Sequence, residues 1–468
     1  MDPRPPRPPL AGRGCRDWRA TLRPTPEGTR HMVPLPADAL DEGLSEFART
    51  GGLTRRDLLE RGVGLWLAAG AVGALSSRRV LEAAAAQQAQ DPQATILVSL
   101  YLGGGNDGLN TLVPLVDRDY PRLRSRIGIT PADALPLLDT ADFGWHPALG
   151  PLRALYDQGK VAVLPAVDYA HPDQSHFQSA AYWRRGIVGQ SHELTGWLGR
   201  TLDAVGSRDN PLQGIGVDWS PDPVLVSRRA PSATVYDPGN VGFWIKGVWD
   251  DDGFARAYAD ANTPSAGAGT LNAVRSAYRN AFQIERRLRP LRVDEDHPAP
   301  AVPEEYPDSH LGRGLRNLAR MLGAGFGTRV ATLTHGGFDT HEDQGWAHEA
   351  LLGDLARSLY AFQADLTQRG LARRVLTMVW SEFGRRPQDN ESRGTDHGAG
   401  GLLLLVGDRA NGGIRSEFPG LARLDEDDNL LVTTEFRTVY ASLLEQWLGV
   451  EAARILPGIG AARLPLVV

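Results

Sequence analysis

The chain has 468 residues, 42% of them hydrophobic and 23% charged, enough apolar content for a sizeable core in one large or two ordinary domains. Its formal net charge of -6 offers no basic field to a polyanion, which excludes nucleic acid as an expected partner. The only cysteine is Cys15, near the start, so no disulfide or thiolate metal ligand is expected, and any metal must be held by Asp, Glu, His or backbone oxygen.

Residues 1 to 53 form an N-terminal extension that opens on PRPPRPPL, a Pro- and Arg-rich composition that cannot bury a core, with Met32 as an alternative start. Then come Thr54-Arg55-Arg56-Asp57-Leu58-Leu59, a mildly apolar run from Gly62 to Leu75, and Ala84-x-Ala86. This series resembles a twin-arginine export signal: paired arginines, an apolar stretch short for a membrane span, and a small-residue cleavage site. Leu58 and Glu60 depart from the usual Phe and Lys, and a cytosolic amphipathic helix is the other reading. The resemblance implies that residues 54 to 93 are a signal and joint read by the twin-arginine machinery. It further implies no stable membrane span in the mature form, and a periplasmic, cell-surface or secreted location.

From residue 94 onward the pattern alternates strand-length apolar runs with helical stripes, the rhythm of an α/β domain. Thr95 to Leu102 predicts a buried strand running into Gly103-Gly104-Gly105-Asn106-Asp107-Gly108. These glycines contain GxGxxG, but the following LNTLVPL reads as irregular chain rather than a helix, so the dinucleotide reading lacks its context. The glycines instead let backbone approach a ligand held by Asp107 and Asn106, or simply form a turn. After Trp145-His146-Pro147, where His146 packs or caps, a short helix near Leu149 to Gln158 leads to a second strand, Val161 to Val167. That strand ends in DYAHPDQSHFQSAAYW, with a helix starting near Ser175. There Ser175 is either a nucleophile in the field of free helix amides or an N-cap that satisfies them.

Residues 197 to 327 read as an elaboration inserted in the domain, with β-like pieces at Pro223 to Ser227 and Ala233 to Asp237. They are followed by a helical stripe through Leu271, Val274, Tyr278, Ala281, Phe282 and Leu288, and by an acidic, Pro-rich surface loop from Asp294 to Asp308. The α/β rhythm resumes with a strand at Thr328 to Leu333 ending in Thr334-His335-Gly336-Gly337-Phe338-Asp339-Thr340-His341, and a helix closed by Gly370. A strand at Val375 to Trp380 stops at Ser381-Glu382. Asp396-His397 precede another strand at Leu402 to Val406, and Thr433 or Thr434 is expected to cap a last helix.

Asp107, Asp339, His341, Glu382, Asp396 and His397 all fall at strand ends, and this oxygen and imidazole set suits a divalent metal, Zn, Mn, Mg or Ca. Each pair alone is more often a hydrogen-bonded loop. Recurrence at successive strand ends favours the metal.

The ordered motifs LGGGNDGLNTLVP, HPDQSHFQSAAYW, HGGFDTHEDQ, SEFGRRPQDN and GTDHGAG resemble the bacterial exported family known as domain of unknown function 1501, from about Thr95 to the C-terminus. The motif order is more distantly similar to the alkaline phosphatase and sulfatase superfamily. That resemblance implies a mostly parallel central sheet flanked by helices and a metal-dependent hydrolysis of phosphate or sulfate esters. In it, Asp107 matches the first Asp, Ser175 the nucleophile, Asp339 with His341 an Asp-plus-His element, and His397 the last histidine. Glu382 stands where an Asp-His pair is usual, and Asp339-x-His341 is shorter than the usual spacing. Within that reading His176 or Arg385 holds a nonbridging oxygen of a small ester substrate. The competing reading is a noncatalytic envelope or secretion partner on the same scaffold.

Overall fold

The computed structural model describes residues 94–241, 270–293 and 300–468. The N-terminal extension, the export-signal-like stretch and the start of the acidic loop lie outside the described residues. No helix among the described residues is long and apolar enough to cross a membrane.

A nine-stranded sheet organises the chain. Its strands are β1 (Ile96–Gly103), β2 (Val161–Asp168), β3 (Gly214–Gly216), β4 (Ala233–Thr234), β5 (Val330–Gly336), β6 (Val375–Trp380), β9 (Gly401–Val406), β10 (Gly413–Ile414) and β11 (Thr434–Glu435). Between β6 and β9 lies a separate hairpin of β7 (Arg385–Asp389) and β8 (Thr395–His397). The order across the sheet is β10-β2-β9-β6-β1-β5-β3-β4, with β11 also pairing β2. Every pairing is parallel except those of β9, which runs antiparallel to both β2 and β6. The C-terminal ends of β1, β2, β3, β5 and β6 therefore meet the start of β9 on one edge.

Alternation along the strands sends side chains to two cores, which is why the central strands read as unbroken apolar runs. Ile96, Val98, Leu100 and Leu102 of β1 pack with α1 (Gly150–Asp157), α4 (Thr270–Leu288), α5 (His310–Gly323) and α6 (Gln344–Gln368). Leu97 and Tyr101 face the other core, with α2 (His176–Arg185), α3 (Trp197–Val205) and α7 (Phe436–Gln446). The result is a three-layer α/β/α domain, the mostly parallel central sheet flanked by helices that the sequence resemblance implies.

Three local expectations are corrected. Pro223–Leu225 is a 3-10 turn capped by Asp222 rather than a β piece, because Pro223 fixes the backbone at its first position and Asp222 Oδ1 accepts from Val224 N. Residues after the glycine loop are a four-residue helix, Gly108–Thr111, capped by Asp107, and then the strand Leu112–Pro114. The last helix begins one or two residues later than expected, with Glu435 at its cap position, because the short strand β11 runs through Thr434 and Glu435 before the helix starts at Phe436. Within the middle segment, β3 and β4 extend one end of the main sheet. Its helix buries Ala277, Ala281, Ile284 and Leu288, whereas Val274 and Tyr278 of the expected stripe stay exposed.

Candidate metal centre at the sheet edge

Three histidines and one aspartate converge where β5, β8 and α2 meet. His176, Asp339 and His397 each offer a ligand atom within 4.8 Å of the others. Asp339 Oδ1 lies 2.9 Å from His341 Nε2 and 3.1 Å from His397 Nε2, and Asp339 Oδ2 lies 3.4 Å from His176 Nε2. His341 Nε2 and His397 Nε2 are themselves 3.0 Å apart.

The opposite ring nitrogens fix the tautomers. His397 Nδ1 donates to the Gln174 carbonyl at 2.9 Å, because a carbonyl oxygen only accepts. His341 Nδ1 donates to Asp396 Oδ1 at 3.1 Å, and His176 Nδ1 to Glu382 Oε1 at 2.8 Å. With Nδ1 protonated, each ring turns Nε2 toward the Asp339 carboxylate, and that nitrogen presents a lone pair wherever the ring is neutral. Acceptors facing acceptors repel unless a proton or cation lies among them. His176 Nε2 is buried without a hydrogen-bond partner, its 3.4 Å approach to Asp339 being outside hydrogen-bond geometry. Imidazole lone pairs aimed at a carboxylate, each ring oriented by an outer oxygen, form a donor set that fits a divalent cation. The carboxylate of Asp339 is exposed, so the cluster opens to solvent.

The electrostatics agree with a positively charged demand. Burial raises the Asp339 carboxyl, but the His176, His341 and His397 rings that close on it and the hydrogen bond from Arg385 outweigh this and hold the group far below the carboxylate range. Burial depresses His176, and the two carboxylates beside it reverse this and lift the ring to about 9. His397 is pulled down by burial, more than Asp339 restores.

The residues named from sequence fall into three groups. Asp339, His341 and His397 come together, and His176, named as an anion holder, joins them. Glu382 and Asp396 sit one layer out, orienting His176 and His341. Glu382 is fully buried and also accepts from the amides of Gly104 at 3.0 Å and Gly105 at 3.1 Å, so the glycine loop cradles this carboxylate. Asp107 is not brought to the cluster: it forms a fully buried ion pair with Arg124 and accepts from Gln344 Nε2 at 2.6 Å. Arg385, expected as an oxygen holder for substrate, is engaged chiefly with the protein itself. Its guanidinium is buried and donates to the carbonyls of Gly105, Thr395, Phe338 and Gly104 and to Asp339, with a further N–H directed at His341 Nε2 at 3.5 Å, so that it braces the loops around the cluster. Ser175 occupies the cap position of α2, yet its hydroxyl makes no capping hydrogen bond. It is exposed and stands between Gln174, which holds His397, and His176.

Three contributors carried no sequence signal: the Gln174 carbonyl, because backbone has no letter; Arg124, because one arginine in a polar loop looks solvated; and Gln344, which lies in the first turn of α6. Gln344 Oε1 accepts from Thr340 at 2.9 Å and Thr395 at 2.7 Å, tying the two loops that carry Asp339 and His397.

Fold and cluster together define an α/β/α domain with a histidine and aspartate centre on the carboxyl edge of its sheet. A family model described as protein of unknown function (DUF1501) matches residues 146–445, and the chain belongs to that family. No curated protein matches it in sequence. Among solved structures it is similar to a phosphonate monoester hydrolase from Silicibacter pomeroyi, at 12% identity over 79% of this chain and 75% of that one, with a TM-score of 0.37. The C-terminal periplasmic domain of EcEptC from Escherichia coli, in complex with Zn, matches at 10% identity, 68% and 75% coverage and TM-score 0.31. The PsFucS1 sulfatase from Pseudoalteromonas sp. matches at 13%, 70% and 66%, with 0.27. Likenesses this low carry no argument about the reaction, which is read from the chain's own residues.

Proposed function

We propose that this chain is an exported, metal-dependent hydrolase of phosphate or sulfate esters, with His176, Asp339, His341 and His397 as the metal ligands. The observation that carries the reading is the convergence of three imidazole Nε2 atoms on one carboxylate, each ring held from behind by Glu382, Asp396 or the Gln174 carbonyl. An imidazole-rich set favours Zn or Mn over Mg or Ca, which prefer oxygen shells. A divalent cation, when bound, supplies positive charge for the charge that develops on a transferring phosphoryl or sulfuryl group. Ser175 serves as the nucleophile: its hydroxyl is exposed and free of the cap, and its neighbours on both sides touch the cluster. The free amides at the start of the ten-residue helix α2 favour an anionic group there. Arg385 holds Asp339 and the glycine loop in place rather than contacting substrate.

Elemental analysis of the purified protein tests the centre. Stoichiometric Zn or Mn is expected in the native chain and its loss in His341→Ala and His397→Ala, and metal-free native protein argues against the reading. Ser175→Ala should keep the metal and lose ester turnover; undiminished turnover removes Ser175 from the chemistry. Export rests on Arg55-Arg56 and the apolar run after them, and replacing both arginines by lysine should strand the protein in the cytoplasm. A noncatalytic scaffold is the second reading, favoured by Asp107 and Arg385 being fully engaged in structural contacts, and metal-dependent turnover in a broad ester screen eliminates it.

A further inference from the structure

The three most exposed aromatic side chains among the described residues are Phe177 at 84%, Trp219 at 75% and Trp346 at 73%. All three lie on the sheet edge that carries the cluster. Phe177 follows His176 in the first turn of α2, Trp346 is in the first turn of α6, and Trp219 follows β3. Strand β3 is the immediate neighbour of β5, whose continuation supplies Asp339, and adjacent strands lie about 4.8 Å apart.

Trp219 is the most elaborated of the three. Its ring packs on Tyr236 with centroids 4.4 Å apart, and Tyr236 stacks on His310 at 4.7 Å with the planes only 4° apart. The stack is drawn from three elements, the ends of β3 and β4 and the start of α5, and is pinned from behind. Asn317 Nδ2 donates to the Tyr236 carbonyl at 3.0 Å, and Val235 N to the Gly216 carbonyl at 2.8 Å. Polar groups border it: His310 Nε2 is 3.6 Å from Asp218 Oδ1, and Arg313 Nε is 3.5 Å from the Tyr236 hydroxyl.

A rigid, layered aromatic surface left open to water gains nothing for the fold from its outer face. A flat apolar face bordered by a carboxylate, an imidazole and a guanidinium suits a ligand that is apolar on its ring face and rich in hydroxyls at its rim. An aryl ligand would make no hydrogen bond to these border groups, and a nucleotide would bring its phosphate against Asp218. A pyranose ring satisfies both requirements, its C–H face on the indole and its hydroxyls on the polar border. The positions of Phe177 and Trp346 along the same edge extend the surface beyond one ring.

We propose that Trp219, backed by Tyr236 and His310, is a sugar-stacking subsite, so that the ester handled at the neighbouring centre is borne on a carbohydrate. The link to the ester rests on the hydrolase reading above; the subsite itself does not.

The test is titration of the full chain with cellohexaose, chitohexaose and maltohexaose, followed by calorimetry and tryptophan fluorescence, with and without chelator. Wild type is expected to bind at least one hexaose whether or not metal is present. Trp219→Ala should weaken that binding about tenfold, near the upper end of what one aromatic contact supplies, while Trp219→Phe retains most of it. Because Trp219 is exposed, the substitution leaves the fold intact, which circular dichroism checks. Absence of binding to all three sugars, or equal affinity in Trp219→Ala, overturns the proposal. So does a wild-type dimer that Trp219→Ala converts to monomer without any sugar binding, since the surface would then be an interface between copies. Metal-free protein that still binds sugar through Trp219 separates failure of the hydrolase reading from failure of this one.

Discussion

Asp107 and Arg124 show how far a residue's surroundings decide its role. Both side chains are fully buried, and Arg124 also donates to the Pro387 carbonyl at 2.7 Å and the Arg386 carbonyl at 3.1 Å. The pair therefore holds the start of the β7-β8 hairpin rather than a ligand. Burial raises the Asp107 carboxyl, and the Arg124 charge and hydrogen bonds more than reverse this, to about 2. Since the folded value lies below the unfolded one, its stabilisation is full above pH about 4 and lost as pH falls toward 2, a contribution on the order of 2 kcal/mol. Denaturant melts across that range should show the loss, and Asp107→Asn should flatten it. Arg124→Met, which leaves a buried carboxylate alone, should cost about 3–5 kcal/mol. Glu382→Gln should weaken metal binding about 10- to 100-fold in a competition assay, as the loss of an outer partner of a ligating histidine does. That Asp107 resembled a ligand in sequence is understandable, since a strand-end acid after glycines looks the same whether a cation or an arginine faces it. The approach of Arg124 from a loop is a tertiary fact.

At the scale of elements, the glycine loop after β1 is where backbone conformation matters most. Gly104 has φ +118°, and a Cβ there would lie 2.4 Å from the Asp339 amide nitrogen. Gly104→Ala should therefore displace the Asp339 loop, lower stability by about 1–3 kcal/mol and weaken metal binding together; normal metal content with full stability would contradict this account. Strands were the most legible elements. The run Val375 to Trp380 is strand β6 at those residues, and Val161 to Val167 falls short of β2 by one. Long apolar runs enclosed on two faces declare themselves regardless of context. Short pieces did not: Pro223–Leu225 and the residues after Gly108 were decided by caps and prolines, whose reach is two or three residues. The candidate site was half legible. Strand ends announced Asp339, His341 and His397, but the division into cluster, outer partners and distant ion pair depended on which loops meet.

For the whole molecule, a cation bound only by the folded chain must stabilise it by mass action, about 2.7 kcal/mol at a hundredfold excess over Kd. Chelation should lower Tm, Zn should restore it, and His397→Ala should respond to neither. The position of β1 has a further consequence. It lies at the sheet centre between β5 and β6, and its partners are remote in the chain: Trp380 Nε1 bonds Ser99 Oγ across 281 residues, and Arg329 Nε bonds the Thr95 carbonyl across 234. During synthesis this apolar strand emerges early and has neither neighbour until the last third of the chain follows. The sheet cannot grow outward from its first strand, so the loop-closure cost of long-range pairing falls on the initial folding step. Refolding from denaturant should be slow, on the order of seconds, and prone to aggregation at raised concentration. A chain ending before Val375 should remain unfolded, leaving the newborn polypeptide dependent on chaperones for most of its translation.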